Sequence, residues 1–193
     1  MVDDRYLIWD ADAQSKYCVL GYLEGYADDY KLMTGHSVAK QWPTAVKMRM
    51  DKDFKKQTAL ADNLTNPENI IVASRRLCDF FVAKKVPKLE LLPITILDQK
   101  KKVASKDYAI ANPVGTQDCI DTKQCDVTWN TINSRYISTM KRLVFDERKI
   151  DKNAVLFRAE HLKDFVFIRS DLAAEVTAAG FTNVKLWRLS DYR

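Results

Sequence analysis

Apolar runs in this chain are short, and serine, glycine, proline and asparagine separate them. Tyr6-Leu7-Ile8-Trp9, set between aspartates, predicts an opening strand, and Tyr17 to Leu23 predicts a second. After Gly21 and Gly25, the stretch holding Asp28, Asp29, Thr34 and Gly35 has turn chemistry but no period. Ala45 to Met50 alternates apolar with basic residues, the pattern of a strand whose Lys47 and Arg49 face solvent. A short helix is predicted around Phe54 to Leu64, closed by Asn66-Pro67.

The pattern sharpens at Ile70 to Ala73, a buried-strand run followed at once by Ser74, a good N-cap residue. Leu77, Phe80 and Phe81 then share one helical face, with Arg75, Arg76 and Lys84 outside, until Val86-Pro87 stops the helix. Leu89 to Leu97 is a long apolar strand whose Pro93 requires a sheet edge or a bulge, and Gln99 to Lys102 turns it into Tyr108 to Ala111. Val127 to Trp129 and Ile137 to Phe145 read as strands joined near Asn130 to Arg135, and Ala154 to Phe157 adds another. The strand, serine, helix, strand grammar returns in Phe165 to Arg169, Ser170 as cap, Asp171 to Ala179, Gly180 as terminator and Val184 to Trp187. An internal duplication fits that repetition, and so do two short units obeying the same capping rules. The class expected is α+β: a mostly antiparallel twisted sheet of several short strands with two or three short helices, including two strand-Ser-helix-strand units.

Composition narrows this reading without redirecting it. The 193 residues, at roughly 150 per domain, predict a single domain over 1–193. With 47% hydrophobic and 30% charged residues, a packed core is expected rather than disorder. Met1 to Arg5 lack the start of a signal peptide, and no apolar run suits a membrane span, so a cytoplasmic protein with no membrane partner is expected. Cys18, Cys78, Cys119 and Cys125 are too scattered for a disulfide scaffold and read as reduced thiols; with only His36 and His161 beside them, no metal site is expected.

The net charge of +5 is unevenly spread, since the first 30 residues hold seven acids (Asp3, Asp4, Asp10, Asp12, Glu24, Asp28, Asp29) against Arg5 and Lys16. Such asymmetry either steers a charged partner or is solvated surface at both ends. Lys55-Lys56 and Lys100-Lys101-Lys102 raise the alternative of a nucleic-acid-binding or regulatory module using the basic C-terminal portion. That alternative is the weaker one, because the lysine triplet occupies a turn and no aromatic-basic recognition motif accompanies it.

Enzyme chemistry leaves few traces. No dinucleotide or phosphate-binding Gly-rich loop follows a strand, and Gly-x-Ser-x-Gly is absent. Asp146, Glu147, Asp151 and Glu160 are explained as well by ion pairs with Arg142, Arg148 and Lys149 as by paired catalytic carboxylates. No catalytic residue and no cofactor is assigned. The most distinctive stretch is Asn112-Pro113-Val114-Gly115-Thr116-Gln117-Asp118-Cys119-Ile120-Asp121. Physically it is a rigid loop: Pro113 fixes one dihedral, Gly115 permits a positive one, and Thr116, Asp118 and Asp121 can bond nearby amides. A structural corner with Cys119 and Ile120 buried beneath is favoured over a ligand-holding loop.

That decapeptide resembles the Asn-Pro-x-Gly-Thr-x-Asp-Cys-hydrophobic-Asp pattern of immunity-protein family eleven, formerly a domain of unknown function, encoded beside bacterial polymorphic toxins. Ile71 to Phe81, Leu91 to Ile96, Arg142 to Asp146, Leu156-Phe157-Arg158 and Phe167 to Gly180 are similar to the family in the same order, over about residues 69–189, while residues 1–65 match poorly. The resemblance implies a cytosolic antidote that docks on a cognate toxin, delivered by contact or by a secretion system such as type VI, and blocks its active site or substrate access. It brings no catalytic residues, and a homodimer stays open beside the toxin as a partner. Candidate contact residues are Tyr22, Tyr26, Asp28, Asp29 and Tyr30, because tyrosine ringed by carboxylates suits a basic enzyme cleft. If this piece is helical the three tyrosines line one face; the competing reading makes them half-buried rings at the edge of the core.

Overall fold

Alternation along the strands decides how the chain packs, because the strands of both large sheets bury residues on each face. A computed structural model of the protein describes residues 5–12 and 16–192. In chain order its elements are β1 (Tyr6–Asp10), β2 (Leu20–Glu24), α1 (Tyr30–Met33), β3 (Lys47–Met50), β4 (Asn63–Leu64) and β5 (Ile71–Ser74). Then come α2 (Arg75–Ala83), β6 (Leu89–Leu97), β7 (Val103–Pro113), β8 (Thr116–Gln117), α3 (Thr122–Cys125), β9 (Val127–Trp129) and β10 (Ile137–Met140). The last are β11 (Leu156–Ala159), β12 (Leu162–Arg169), α4 (Ser170–Ala178) and β13 (Lys185–Arg188). The fold is α+β: a six-stranded sheet ordered β2-β3-β6-β7-β5-β4, a five-stranded sheet ordered β13-β1-β12-β11-β8, and the hairpin β9-β10. All pairings of named strands are antiparallel except β3 with β6 and β8 with β11.

One face of each large sheet joins a shared middle core. In the six-stranded sheet Ile71, Ala73, Ala109 and Ala111 point there; in the five-stranded sheet Trp9, Leu156, Val166 and Ile168 do. Both longer helices fill the same core, α2 with Leu77, Cys78 and Phe81 and α4 with Leu172, Ala173 and Val176. The alanines of β5 and β7 matter because small side chains let α2 approach the sheet closely. The opposite faces each have their own core: Leu20, Met48, Val72, Ile96 and Ile110 on one side, Tyr6, Ile8, Phe157 and Phe167 on the other. Each fully buried side chain of this size contributes about 1.5–3 kcal/mol.

The six-stranded sheet curls until its ends meet. Leu20 N–H donates to Thr65 O at 2.8 Å, Cys18 N–H to Ala59 O at 2.8 Å, and Val19 and Thr65 form a parallel bridge. Leu23 N–H on β2 is taken by the buried Glu68 carboxylate at 2.8 Å. An outer edge that would otherwise present bare donors is thereby covered.

A polar clasp ties the two sheets together at Asp62 and Asn63. Asp62 accepts from the Ser74 hydroxyl (2.7 Å), Arg76 (2.8 Å), Thr182 N–H (2.9 Å) and the Thr182 hydroxyl (3.0 Å). Asn63 donates to Asp10 O and to Asn183 O, both at 3.1 Å, and Asn183 donates back to Asn63 O at 2.9 Å. This clasp is why no helix forms over 54–64: the side chains of residues 62 and 63 are spent on the C-terminal loop, their backbone joins β5, and Leu60 stays exposed.

Pro93 takes the second of its two expected settings, and Ser170 corrects an expectation. Pro93 lies in an inner strand rather than at an edge, yet β3 pairs with β6 only from Thr95 onward, so the missing proline N–H faces no strand there. The Trp42 indole donates to Pro93 O at 2.9 Å, and the ladder shifts register twice between Ile94 and Leu97, which is the expected bulge. Ser170 begins α4 but caps nothing; Arg169 is the N-cap and makes no side-chain bond to the helix backbone. Asp171 instead accepts Leu172 N–H at 2.8 Å and the Arg169 fork at 2.8 and 2.7 Å, which leaves the hydroxyl no task. Ser74, by contrast, caps α2 as predicted, accepting Leu77 N–H at 3.3 Å.

Candidate functional site

The distinctive decapeptide is a corner whose bonds run inward. Asn112, 1% exposed, donates to His36 O at 3.0 Å and to Glu90 at 3.2 Å. Burial raises the Glu90 carboxyl, but the Ser37 hydroxyl, the Val38 N–H and Asn112 outweigh it and hold the carboxyl below its ordinary range. Gly115, at φ +86°, donates to Gly35 O at 2.7 Å, and a Cβ on Gly35 would stand 2.6 Å from Gly115 O. Thr116 and Gln117 pair with Arg158 and Ala159, and Cys119 and Ile120 are buried as expected. Asp121 caps α3, accepting Lys123 N–H at 3.2 Å and Gln124 N–H at 3.1 Å. Asp118 departs from expectation: Lys149 at 3.1 Å and His161 at 3.5 Å take its carboxylate.

Other stretches of the resemblance converge on this corner. Asp121 N–H donates to Val144 O at 2.9 Å and Asp146 N–H to Cys119 O at 2.7 Å. Arg158 is 1% exposed, holds Lys163 O at 2.8 Å and Asn69 O at 3.3 Å, and has its guanidinium pushed down to about 10 by burial.

The tyrosine-acid segment does not form one helical face. Tyr22 lies on β2, Tyr26 in the turn that follows Gly25, and Tyr30 opens α1, which is only four residues long. Tyr26 packs on Trp42 with ring centroids 4.8 Å apart, and burial pushes its hydroxyl up, so this ring belongs to the edge of the core. Tyr22 and Tyr30 remain open, at 72% and 51% exposure. Asp29 accepts Tyr30 N–H at 2.7 Å, Asp28 pairs with Lys31 at 2.6 Å, and Glu24 with Lys47 at 3.6 Å. Asp10 sits in the other sheet, bonded to the Trp187 indole, and Asp3 and Asp4 lie outside the described residues. The acids of the first 30 residues are thus dispersed, and those near the tyrosines are largely paired.

Between the end of α1, the corner and the β9–β10 hairpin lies a cleft of about 260 Å³ lined by His36, Thr116, Arg135, Tyr136, Glu160 and Lys163, among others. Glu160 is the one carboxylate in its lining. Lys163 stands 5.1 Å from the Tyr136 ring centroid, an ordinary cation–π approach. The hairpin beside it has the two expected strands and turn, except that the second strand stops at Met140 rather than running on to Phe145, and Ile132 at the tip belongs to no periodic pattern. That side chain is 97% exposed, and one isoleucine among Thr131, Asn133 and Ser134 alters no period.

Among the described residues no group of three or more His, Cys, Asp or Glu side chains could hold a metal ion, and no helix is long and apolar enough to cross a membrane. All four cysteines are free and buried; burial raises the Cys119 thiol to about 12 and the Cys18 and Cys78 thiols to about 11, far from a reactive thiolate. Lys100 to Lys102 occupy a tight turn in which Asp98 accepts the N–H groups of Lys100 and Lys102, each at 2.8 Å.

A family model described as an immunity protein family, Imm11, matches residues 9–191. The match begins well before residue 69, where the resemblance begins, and so takes in the end of β1 and all of β2 to β4. No curated protein matches the chain.

Proposed function

Because the chain belongs to the immunity protein family Imm11, we propose that it neutralises a cognate bacterial toxin acting in the cytosol, binding it one to one and covering its active site or its substrate's approach. The family match over nearly the whole length carries this reading. Burial of the cysteines and the inward bonding of the corner support it, because they leave the exterior as the working part of the molecule. Tyr22 and Tyr30, with Asp28 and Asp29 between them in sequence, are proposed as one contact patch, since tyrosine is among the residue types enriched at interface anchors. Tyr26, packed on Trp42, is left out of that patch as part of the core's edge.

The test is capture from the producing cell, followed by expression of the captured protein in the cytosol of a naive host. Growth arrest relieved by this chain, with a one-to-one complex by sedimentation, is the expected result. Arrest that persists at molar excess of the chain would overturn the proposal.

A further inference from the structure

We infer that the β9–β10 hairpin is an arm that enters the toxin, with Ile132 seated in an apolar pocket of the toxin while Arg135 and Lys163 hold a carboxylate at that pocket's rim. The inference rests on the reading above that the partner is a toxin.

A lone exposed apolar side chain is ordinary on a protein surface. Ile132 differs because the turn beneath it is constructed. Asn130 Oδ1 accepts the N–H groups of Ile132 and Asn133, each at 2.9 Å. Asn130 N–H donates to Tyr136 O at 2.9 Å, and Asn133 Oδ1 accepts Arg135 N–H at 3.1 Å. At the base, Ile137 and Met140 are buried in the outer core, and the His161 imidazole donates to Arg135 O at 2.9 Å while meeting the Trp129 ring edge-on. The tip is therefore ordered before any partner arrives. A β-branched residue held out on it has little rotamer freedom left to lose on binding.

Charge identifies the chemistry opposite it. Of the neighbouring cations, Lys141 is paired with Asp126 at 2.5 Å and Lys149 with Asp118 at 3.1 Å, and Arg142 is turned inward to donate to Gln124 O at 2.5 Å. Arg135 and Lys163 make no ion pair among the described residues, and both line the cleft at the foot of the tip, where the single carboxylate of Glu160 leaves the two cations in excess. An apolar knob beside two unpaired cations fits an apolar pocket edged by Asp, Glu or a terminal carboxylate, and the guanidinium can grip that group with two parallel bonds.

The probe is the toxin captured above, in a catalytically dead form, titrated with wild type, Ile132→Asp and Arg135→Glu. Each variant is expected to bind about tenfold more weakly or worse, and the Arg135→Glu complex is expected to respond less to added salt. Melting temperatures should match wild type, because both side chains are exposed. Binding of either variant within about twofold of wild type would overturn the inference and leave the toxin reading intact. A wild-type chain that binds no toxin would remove both. A wild-type homodimer that Ile132→Asp dissociates would overturn the toxin contact in favour of a second copy of this chain.

Discussion

The Asn112 to Asp121 corner and the Asn130 to Arg135 tip are built from similar turn-forming residues, yet their bonds run in opposite directions. The corner reaches across the chain to Gly35, His36, Glu90, Val144 and Lys149. Bonds within the tip's turn close on the tip itself, and one long-range bond, from His161, anchors its foot. A residue bound by many distant partners has few substitutes, so it generates a recognisable pattern. A residue that answers only to an outside partner leaves no mark inside its own chain. The resemblance carried by the corner therefore falls on residues that hold the chain together, whereas the tip stands out only by its exposure.

The largest expected effect breaks the corner. Gly35→Ala would drive a Cβ to 2.6 Å from Gly115 O at a φ of +70°, so a loss of about 3 kcal/mol or more is expected, from the clash added to left-handed strain. Gly115→Ala is its control: φ is +86° and nothing lies within 4 Å of the new Cβ, so only strain of about 1–2 kcal/mol applies. Urea unfolding of the pair measures the difference. Equal losses would mean that the close approach of the two glycines contributes nothing.

The clasp comes next. Asp62→Ala removes the acceptor of four donors and is expected to cost about 2–4 kcal/mol. Burial raises the Asp62 carboxyl, but the Thr182 N–H, the Ser74 and Thr182 hydroxyls and Arg76 together hold it below the ordinary carboxylate range. A depressed carboxyl contributes stability above its unfolded pKa and loses it as pH falls through the folded one. Acid should therefore weaken wild type below about pH 4, with a shallower fall in Asp62→Ala when urea midpoints are compared across pH. Since both sheets share the middle core, wild type should melt in one transition.

Local rules made much of the fold readable. The strand from Ile71, the Ser74 cap and the Leu77, Phe81 face all follow from periodicity and capping, which act within a few residues. The rest is decided at a distance. Residues 54–64 carry helix-like spacing, but Thr182 and Asn183, far along the chain, claim positions 62 and 63. In the site, the corner was legible because glycine, proline and aspartate have fixed local meanings. The cleft was not, because it assembles His36, Thr116, Arg135 and Lys163 from four separate segments.

A smaller effect separates the two serines. Ser74→Ala loses both the cap to Leu77 and the bond to Asp62, an expected cost of about 1–2 kcal/mol. Ser170→Ala removes no cap bond and should stay within about 0.5 kcal/mol. Thermal melts of the two decide whether shared grammar in the two strand-Ser-helix units means shared physics. Equal losses would restore Ser170 as a cap.

Tyr22 and Tyr30 carry the smallest expected effect on stability and, on the proposed function, a large one on binding. Tyr22→Ser with Tyr30→Ser removes two rings that stand 72% and 51% exposed, so stability should change by less than about 0.5 kcal/mol. Tyr26→Ala instead vacates the stack on Trp42 and should cost about 1–2 kcal/mol. If Tyr22 and Tyr30 contact the toxin, their double variant weakens binding about tenfold at unchanged melting temperature, the mirror image of the corner variants. Combining it with Ile132→Asp asks whether patch and hairpin act on one partner: contacts that do not touch each other should add in binding free energy. A double variant that binds like wild type would leave the hairpin as the contact and return the tyrosines to ordinary surface.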